Sequence, residues 1–148
     1  AHAMEDDRGL TERATPDERA RLFKVREALL NLHKELLHVE RKRYEQNVGP
    51  VTNEFEFFRL VTLDLSFAWI GPMTTLIVQI DERVASKEPI TGKEVDVLYA
   101  ETRAVLASPD ETAFKAEYTQ LLQDNPGLVM KHSAVMQALP PVERPQSK

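Results

Sequence analysis

The chain of 148 residues contains no cysteine. This absence excludes disulfide bonds, zinc–thiolate and iron–sulfur centres, and thiol nucleophiles. It also fits a reducing compartment, so we expect a cytoplasmic protein. Long hydrophobic runs are missing as well: the longest uncharged stretch, residues 65–80, has 16 residues, whereas a membrane-spanning helix needs about 20. The N-terminus shows no basic stretch followed by an apolar segment, so we expect neither a secretory signal nor a membrane partner.

Motifs for catalysis and nucleotide binding are also absent. The sequence contains no Walker glycine loop, no Gly-x-Gly-x-x-Gly, no Gly-x-Ser-x-Gly and no His-Glu-x-x-His. Only 4 histidines are present, which leaves few candidates for acid–base catalysis. The net charge of -5 argues against a protein that neutralises a phosphate backbone. The sequence therefore favours a non-enzymatic protein with no cofactor and no nucleic-acid partner.

What the chain does have is a helical pattern. Thr15-Pro16-Asp17-Glu18 is a capping box with proline in the first turn, and it predicts a helix from there to about Gln46. Apolar residues follow at alternating steps of three and four, which is the spacing of one helix face. These residues are Leu22, Val25, Leu29, Leu32, Leu36 and Val39.

Further helix starts are predicted at Asn53, Ser66, Thr91, Ser108 and Leu128, and Gly71-Pro72 is expected to kink the third helix or begin it afresh. No segment alternates with the period of a strand. We therefore predict an all-α fold, an antiparallel up-and-down bundle of five or six helices in a single domain over residues 15–139. Residues 1–14, whose first three look like a tag remnant, and residues 140–148 are expected to be disordered.

Residues 67–73 concentrate several large side chains around the helix break. Phe67, the single tryptophan Trp69, Pro72 and Met73 lie within seven positions. Aromatic residues with methionine are common at protein contacts, and a kink can open a groove between helices. The alternative is ordinary core packing at a bend.

His33, Glu40 and Tyr44 lie along one edge of the apolar stripe of the first helix. Polar residues at such an edge usually form hydrogen bonds to a neighbouring helix, and Asp64 and Asp81 are available partners. A structural network and a small-molecule or protein site are both open interpretations. The candidate interaction or ligand residues are thus His33, Glu40, Tyr44, Asp64, Trp69, Pro72 and Asp81.

Glu35 and His38 form a Glu-x-x-His unit, the spacing found in di-iron helical bundles. Such a site needs a second unit, and neither His2 nor His132 has a glutamate three residues before it. We therefore interpret Glu35 and His38 as part of a solvated face and predict no metal ligands.

Two stretches carry a resemblance. They run from Leu32-His33-Lys34 through Glu40-Arg41 and Tyr44-Glu45, and from Asp64 through Phe67-Ala68-Trp69 and Pro72 to residues 76–82. Together they resemble a family of small bacterial α-helical proteins with no agreed activity. The resemblance implies a cytoplasmic bacterial helical protein and transfers no catalytic residue.

Our hypothesis for function is an interaction or regulatory module, a homodimer through the long first helix or the aromatic kink, or a binder of another protein. The alternative is a small-molecule or metal-binding bundle in which His33, Glu40, Tyr44, Asp64 and Asp81 converge.

Overall fold

Seven α-helices and no β-strand make up residues 12–142, the part of the chain that the computed structural model describes. The all-α prediction is confirmed. The helices are α1 (Pro16–Asn47), α2 (Glu54–Leu63), α3 (Leu65–Ala68), α4 (Gly71–Ala85), α5 (Gly92–Ala107), α6 (Ala113–Asp124) and α7 (Pro126–Ala138). None of the helices among these residues has the length and apolar character needed to cross a membrane.

The number of helices exceeds the predicted five or six because the segment after α2 is divided. Asp64, and not Ser66, caps α3, since its carboxylate accepts a hydrogen bond from the Ser66 backbone amide at 2.8 Å. A helix running through Pro72 would need a hydrogen-bond donor that proline lacks. The chain therefore leaves the helix at Trp69 and Ile70, and α4 begins afresh at Gly71 with Pro72 in its first turn.

The first helix forms as the sequence predicts. Thr15 and Glu18 make both hydrogen bonds of the capping box, at 3.1 and 2.8 Å. Its apolar stripe is buried in the core along its whole length, namely at Leu22, Val25, Leu29, Leu32, Leu36 and Val39. Other helices of the same chain, chiefly α4 and α7, therefore cover this stripe.

Helices α1 and α4 run antiparallel. Along α1 the contacting side chains are Arg26, His33 and Glu40. Their partners in the same order are Asp81 and Thr74 on α4 and Trp69 in the turn before α4. Partner numbers fall as the α1 numbers rise, so the two helices point in opposite directions. Helices α5, α6 and α7 complete one hydrophobic core with this pair.

Residues 12–14 differ from the expected disordered arm. The Gly92 amide donates to the Glu12 carbonyl at 2.9 Å, and the Ala14 amide donates to the Ile90 carbonyl at 3.0 Å. Ala14 is buried. Backbone hydrogen bonds hold this segment, and a segment with few apolar side chains can form them as well as any other. The rest of the expected arm (residues 1–11) and most of the expected tail (residues 143–148) lie outside the described residues.

The start of α6 also differs from the prediction. Ser108 accepts a hydrogen bond from the amide of Asp110, two residues on, which makes a turn. Thr112 instead accepts from the amide of Lys115, three residues on, which is the N-cap bond. The helix therefore begins at Ala113, five residues after the serine predicted to cap it.

Candidate functional site

A buried glutamate lies at the centre of the candidate site. Glu40 is on α1 and is only 2% exposed. Its Oε1 accepts hydrogen bonds from Trp69 Nε1 at 3.1 Å and from Arg43 Nη2 at 2.8 Å, while Arg43 Nε donates to Oε2 at 3.3 Å. A buried carboxylate needs such donors, because leaving it unpaired would be strongly unfavourable. Glu40 therefore joins α1 to the turn before α4.

Arg43 connects this network to α6. Its Nη2 also donates to Glu117 Oε1 at 3.0 Å, so two carboxylates share one guanidinium group. Partial burial lowers the pKa of Arg43, but the hydrogen bonds and charges of Glu117 and Glu40 outweigh burial and raise the pKa above its usual value. The guanidinium remains charged, and the formal charges of Arg43, Glu40 and Glu117 sum to one negative charge.

These residues form one wall of a cleft, which we call the α1-end cleft, with a volume of about 320 Å³. Its polar lining consists of Glu40, Arg43, Tyr44, Asn47, Ser66 and Glu117. Val48, Leu65 and Trp69 supply its apolar surface. The Tyr44 ring packs against Phe67 with centroids 6.1 Å apart. The cleft thus combines aromatic surface, hydrogen-bonding oxygens and a net negative charge.

Three of the seven sequence-predicted residues, Glu40, Tyr44 and Trp69, meet at this cleft. His33 lies two turns before Glu40 on α1, where its Nε2 is 2.9 Å from Thr74 Oγ1. Burial lowers the pKa of the His33 imidazole. His33 therefore belongs to a separate contact between α1 and α4.

The other three predicted residues also have partners or positions of their own. Asp81 forms an ion pair with Arg26 farther along the same helix pair. Asp64 is occupied as the cap of α3. Pro72 lines a shallow groove between α4 and α5. The structure therefore separates His33, Asp64, Pro72 and Asp81 from the α1-end cleft.

Two functional candidates in the cleft, Arg43 and Glu117, were not identified from the sequence. A basic run such as Arg41-Lys42-Arg43 is typical of the last turn of a helix, but α1 continues to Asn47 and its last turn carries no basic residue. Arg43 is instead engaged by carboxylates. A Glu three residues before an Arg is the available signal for half of this network. Glu117 carries no such local signal, because its partner lies 74 positions away.

An aromatic series extends from the cleft into the second half of the chain. The Trp69 and Phe114 ring centroids are 5.5 Å apart, and those of Phe114 and Tyr118 are 5.1 Å apart in a stacked arrangement. The Tyr118 hydroxyl lies 2.8 Å from His132 Nδ1. Burial raises the pKa of Tyr118 and keeps the phenol neutral, and the tautomer of His132 sets which of the two groups donates. These rings fix α6 and α7 relative to Trp69.

No group of three or more His, Asp or Glu residues within residues 12–142 is placed to hold a metal ion. Glu35 and His38 line a separate small surface depression with Lys34 and Lys131. The two lysines place positive charge beside the Glu-x-x-His unit, which disfavours a cation there.

Comparison with known proteins adds no assignment: no family model, no curated protein and no solved structure matches this chain. The resemblance to small bacterial helical proteins stays a prediction from its residues alone.

Proposed function

We propose that this protein is a non-enzymatic helical interaction module that forms a homodimer through α2. One observation supports this: four large apolar side chains of α2 and the start of α3 are exposed. Phe55, Phe58, Leu63 and Leu65 are 75%, 69%, 71% and 88% exposed. Exposed apolar side chains gathered on one short segment are typical of protein contact surfaces.

The pattern of α2 explains why the side chains are exposed. Phe57, Leu60 and Val61 face the core, with Leu60 buried and the other two half-buried. Phe55 and Phe58 lie on the opposite side of the helix. A helix that is apolar on both sides is normally covered on both sides, so the outer side of α2 is a candidate contact surface.

The area of the patch suits a self-contact. Aromatic side chains bury about 150 to 250 Å² each, so Phe55 and Phe58 at their observed exposures offer roughly 300 Å². Leu63 and Leu65 add a comparable area. A standard interface buries about 800 Å² on each partner. Val48, 66% exposed, lines the α1-end cleft together with Leu65 and adds apolar area on that side.

A second copy of this chain supplies such a surface without a further partner, because a twofold contact places the same patch on both sides. This proposal replaces the first helix as the dimer surface, since the α1 stripe is already buried within the chain. Trp69, the other predicted contact, is half-buried between Glu40 and Phe114.

Sedimentation velocity over a range of concentrations tests the proposal. Wild-type protein should show reversible dimerisation, and Phe58→Glu should prevent it by placing a charge in the apolar contact. Val97→Glu is the matched control, because Val97 is 53% exposed on a different helix and should leave dimerisation unchanged. The homodimer would be contradicted if the wild-type protein stayed monomeric at a concentration of about several hundred micromolar. Equal effects of the two variants on dimerisation would contradict it as well.

A second candidate function, ligand binding, is favoured by the convergence of Glu40, Tyr44 and Trp69 on the α1-end cleft. The metal-binding version of this alternative has no such support among the described residues.

We also propose an up-and-down order for the whole bundle, which the antiparallel arrangement of α1 and α4 supports. We further propose a cytoplasmic bacterial setting, which the lack of cysteine and the family resemblance support.

A further inference from the structure

We propose that the α1-end cleft binds a small organic cation, with its ammonium or guanidinium group placed beside Glu117 and Glu40. The inference names the ligand class for the second candidate function, and it does not depend on dimerisation through α2. Three features of the cleft support it: its charge, its aromatic lining and its size.

The charge of the cleft favours a cation. Two carboxylates share the single guanidinium of Arg43, which leaves one net negative charge at the site. Glu40 is held in place by burial and by Trp69, whereas Glu117 is 44% exposed and can reach a ligand. The negative end of the α1 dipole lies at the same place, and the last turn of the helix carries no basic residue.

An anionic ligand is disfavoured by the same geometry. Arg43 is the basic residue of the cleft lining, and both of its carboxylate partners are already within hydrogen-bond distance. A phosphate or carboxylate approaching Arg43 would lie next to Glu40 and Glu117. Repulsion between like charges would then oppose binding.

The remaining lining suits an amine with a short carbon skeleton. Trp69 and Tyr44 provide aromatic rings, which attract cations through their negative faces. Tyr44, Asn47 and Ser66 supply oxygens that can accept hydrogen bonds from N–H groups. The volume of about 320 Å³ is at the lower end of the range for ligand sites, which favours a small amine over a nucleotide.

Intrinsic fluorescence provides a direct test, because Trp69 is the single tryptophan of the chain. Wild-type protein is titrated with agmatine, putrescine and choline, and with acetate and sodium chloride as controls for anions and ionic strength. We expect at least one of the three cations to give a saturable change with a dissociation constant of about 1 mM or below. Acetate and sodium chloride should give none.

Variants separate binding at the cleft from a general effect of charge. Glu117→Gln keeps the shape of the side chain and should weaken cation binding about tenfold, which corresponds to one lost charge interaction. Glu111→Gln removes the same formal charge from an exposed position outside the cleft and should bind as wild type does. Circular dichroism confirms that both variants are folded.

Three results would overturn the proposal: no saturable change with any of the three cations, an equal response to acetate, or equal affinities in Glu117→Gln and Glu111→Gln. Phe58→Glu should retain cation binding, because Phe58 is not part of the cleft lining. Failure of the α2 dimer is therefore distinguishable from failure of the cation site.

Discussion

Trp69 Nε1 donates a hydrogen bond of 3.1 Å to Glu40 Oε1 across 29 positions of sequence. One partner is a buried carboxylate on the longest helix, and the other is a half-buried indole in the turn between α3 and α4. Tryptophan has one N–H group to satisfy, and a buried glutamate needs donors. The bond therefore holds the turn between α3 and α4 against α1, and both of its partners line the cleft.

Replacing Glu40 should cost substantial stability. Glu40→Ala removes the acceptor for Trp69 and one of the two carboxylates bound to Arg43, so we expect the free energy of unfolding to fall by about 2 to 3 kcal/mol. Glu40→Gln retains an acceptor oxygen and should lose about half as much. Urea denaturation measures both changes. The control is Glu27→Ala, an exposed position on the same helix; a cost for Glu27→Ala equal to that for Glu40→Ala would contradict the role of the network.

Stability should depend on pH through two histidines. Burial lowers the pKa values of His33 and His132 below 6.5, so the unfolded chain binds more protons than the folded chain once the pH falls below about 6.5. The stabilisation is complete above that pH and is lost as the pH falls towards the lowered folded pKa values. Denaturation series between about pH 5 and pH 8 should show this decline.

The double variant His33→Gln/His132→Gln should flatten the pH dependence in that window, because neither glutamine titrates. His38→Gln serves as the control, since His38 is exposed on α1 and should leave the dependence unchanged. The assignment fails if the double variant retains the full wild-type decline between pH 6.5 and pH 5.

Two buried tyrosines should respond in opposite ways to loss of their hydroxyl groups. The Tyr99 hydroxyl has no hydrogen-bond partner among the described residues, and burial raises the pKa of Tyr99 to about 12. Tyr99→Phe should therefore leave stability unchanged or raise it by up to about 1 kcal/mol. Tyr118→Phe removes the hydrogen bond to His132 and should cost about 1 kcal/mol. Thermal or urea denaturation of the pair checks the difference in sign, and a clear loss in Tyr99→Phe would show that its hydroxyl is satisfied.

The start of α6 can be tested with two cap variants. Thr112→Ala should lower the free energy of unfolding by about 1 kcal/mol, because the Lys115 amide loses its acceptor. Ser108→Ala removes only a turn interaction and should change it by less than about 0.5 kcal/mol. A larger cost at Ser108 would favour the helix start that the sequence predicts.

Local signals explain what could be predicted of the fold. The Thr15–Glu18 capping box and the apolar stripe of α1 depend on residues three and four apart, and both appear in the structure as expected. The predicted start of α6 at Ser108 was wrong because Thr112, four residues later, is also a residue type that caps helices. Which of the two caps α6 depends on the backbone amide that each side chain reaches. That geometry is not encoded in residue type alone.

Only part of the candidate site could be predicted from the sequence, for a different physical reason. Glu40, Tyr44 and Trp69 were recognisable as polar or aromatic residues at the edge of a stripe or beside a helix break. Which of the predicted residues share a cleft depends on the axial position at which α4 meets α1, and His33 and Glu40 are two helical turns apart. Contacts of this kind, including the one from Arg43 to Glu117, arise from packing between distant segments.

The antiparallel contact of α1 with α4 and the turn before it also limits where residues can be inserted or deleted. On α1 its three contact residues, Arg26, His33 and Glu40, recur every seven positions, which returns them to nearly the same side of the helix. Insertion of one residue between two of them would rotate the following contact by about 100°. Insertions and deletions should therefore be tolerated in exposed interhelical loops, such as residues 109–111, and rejected within residues 26–40 of α1.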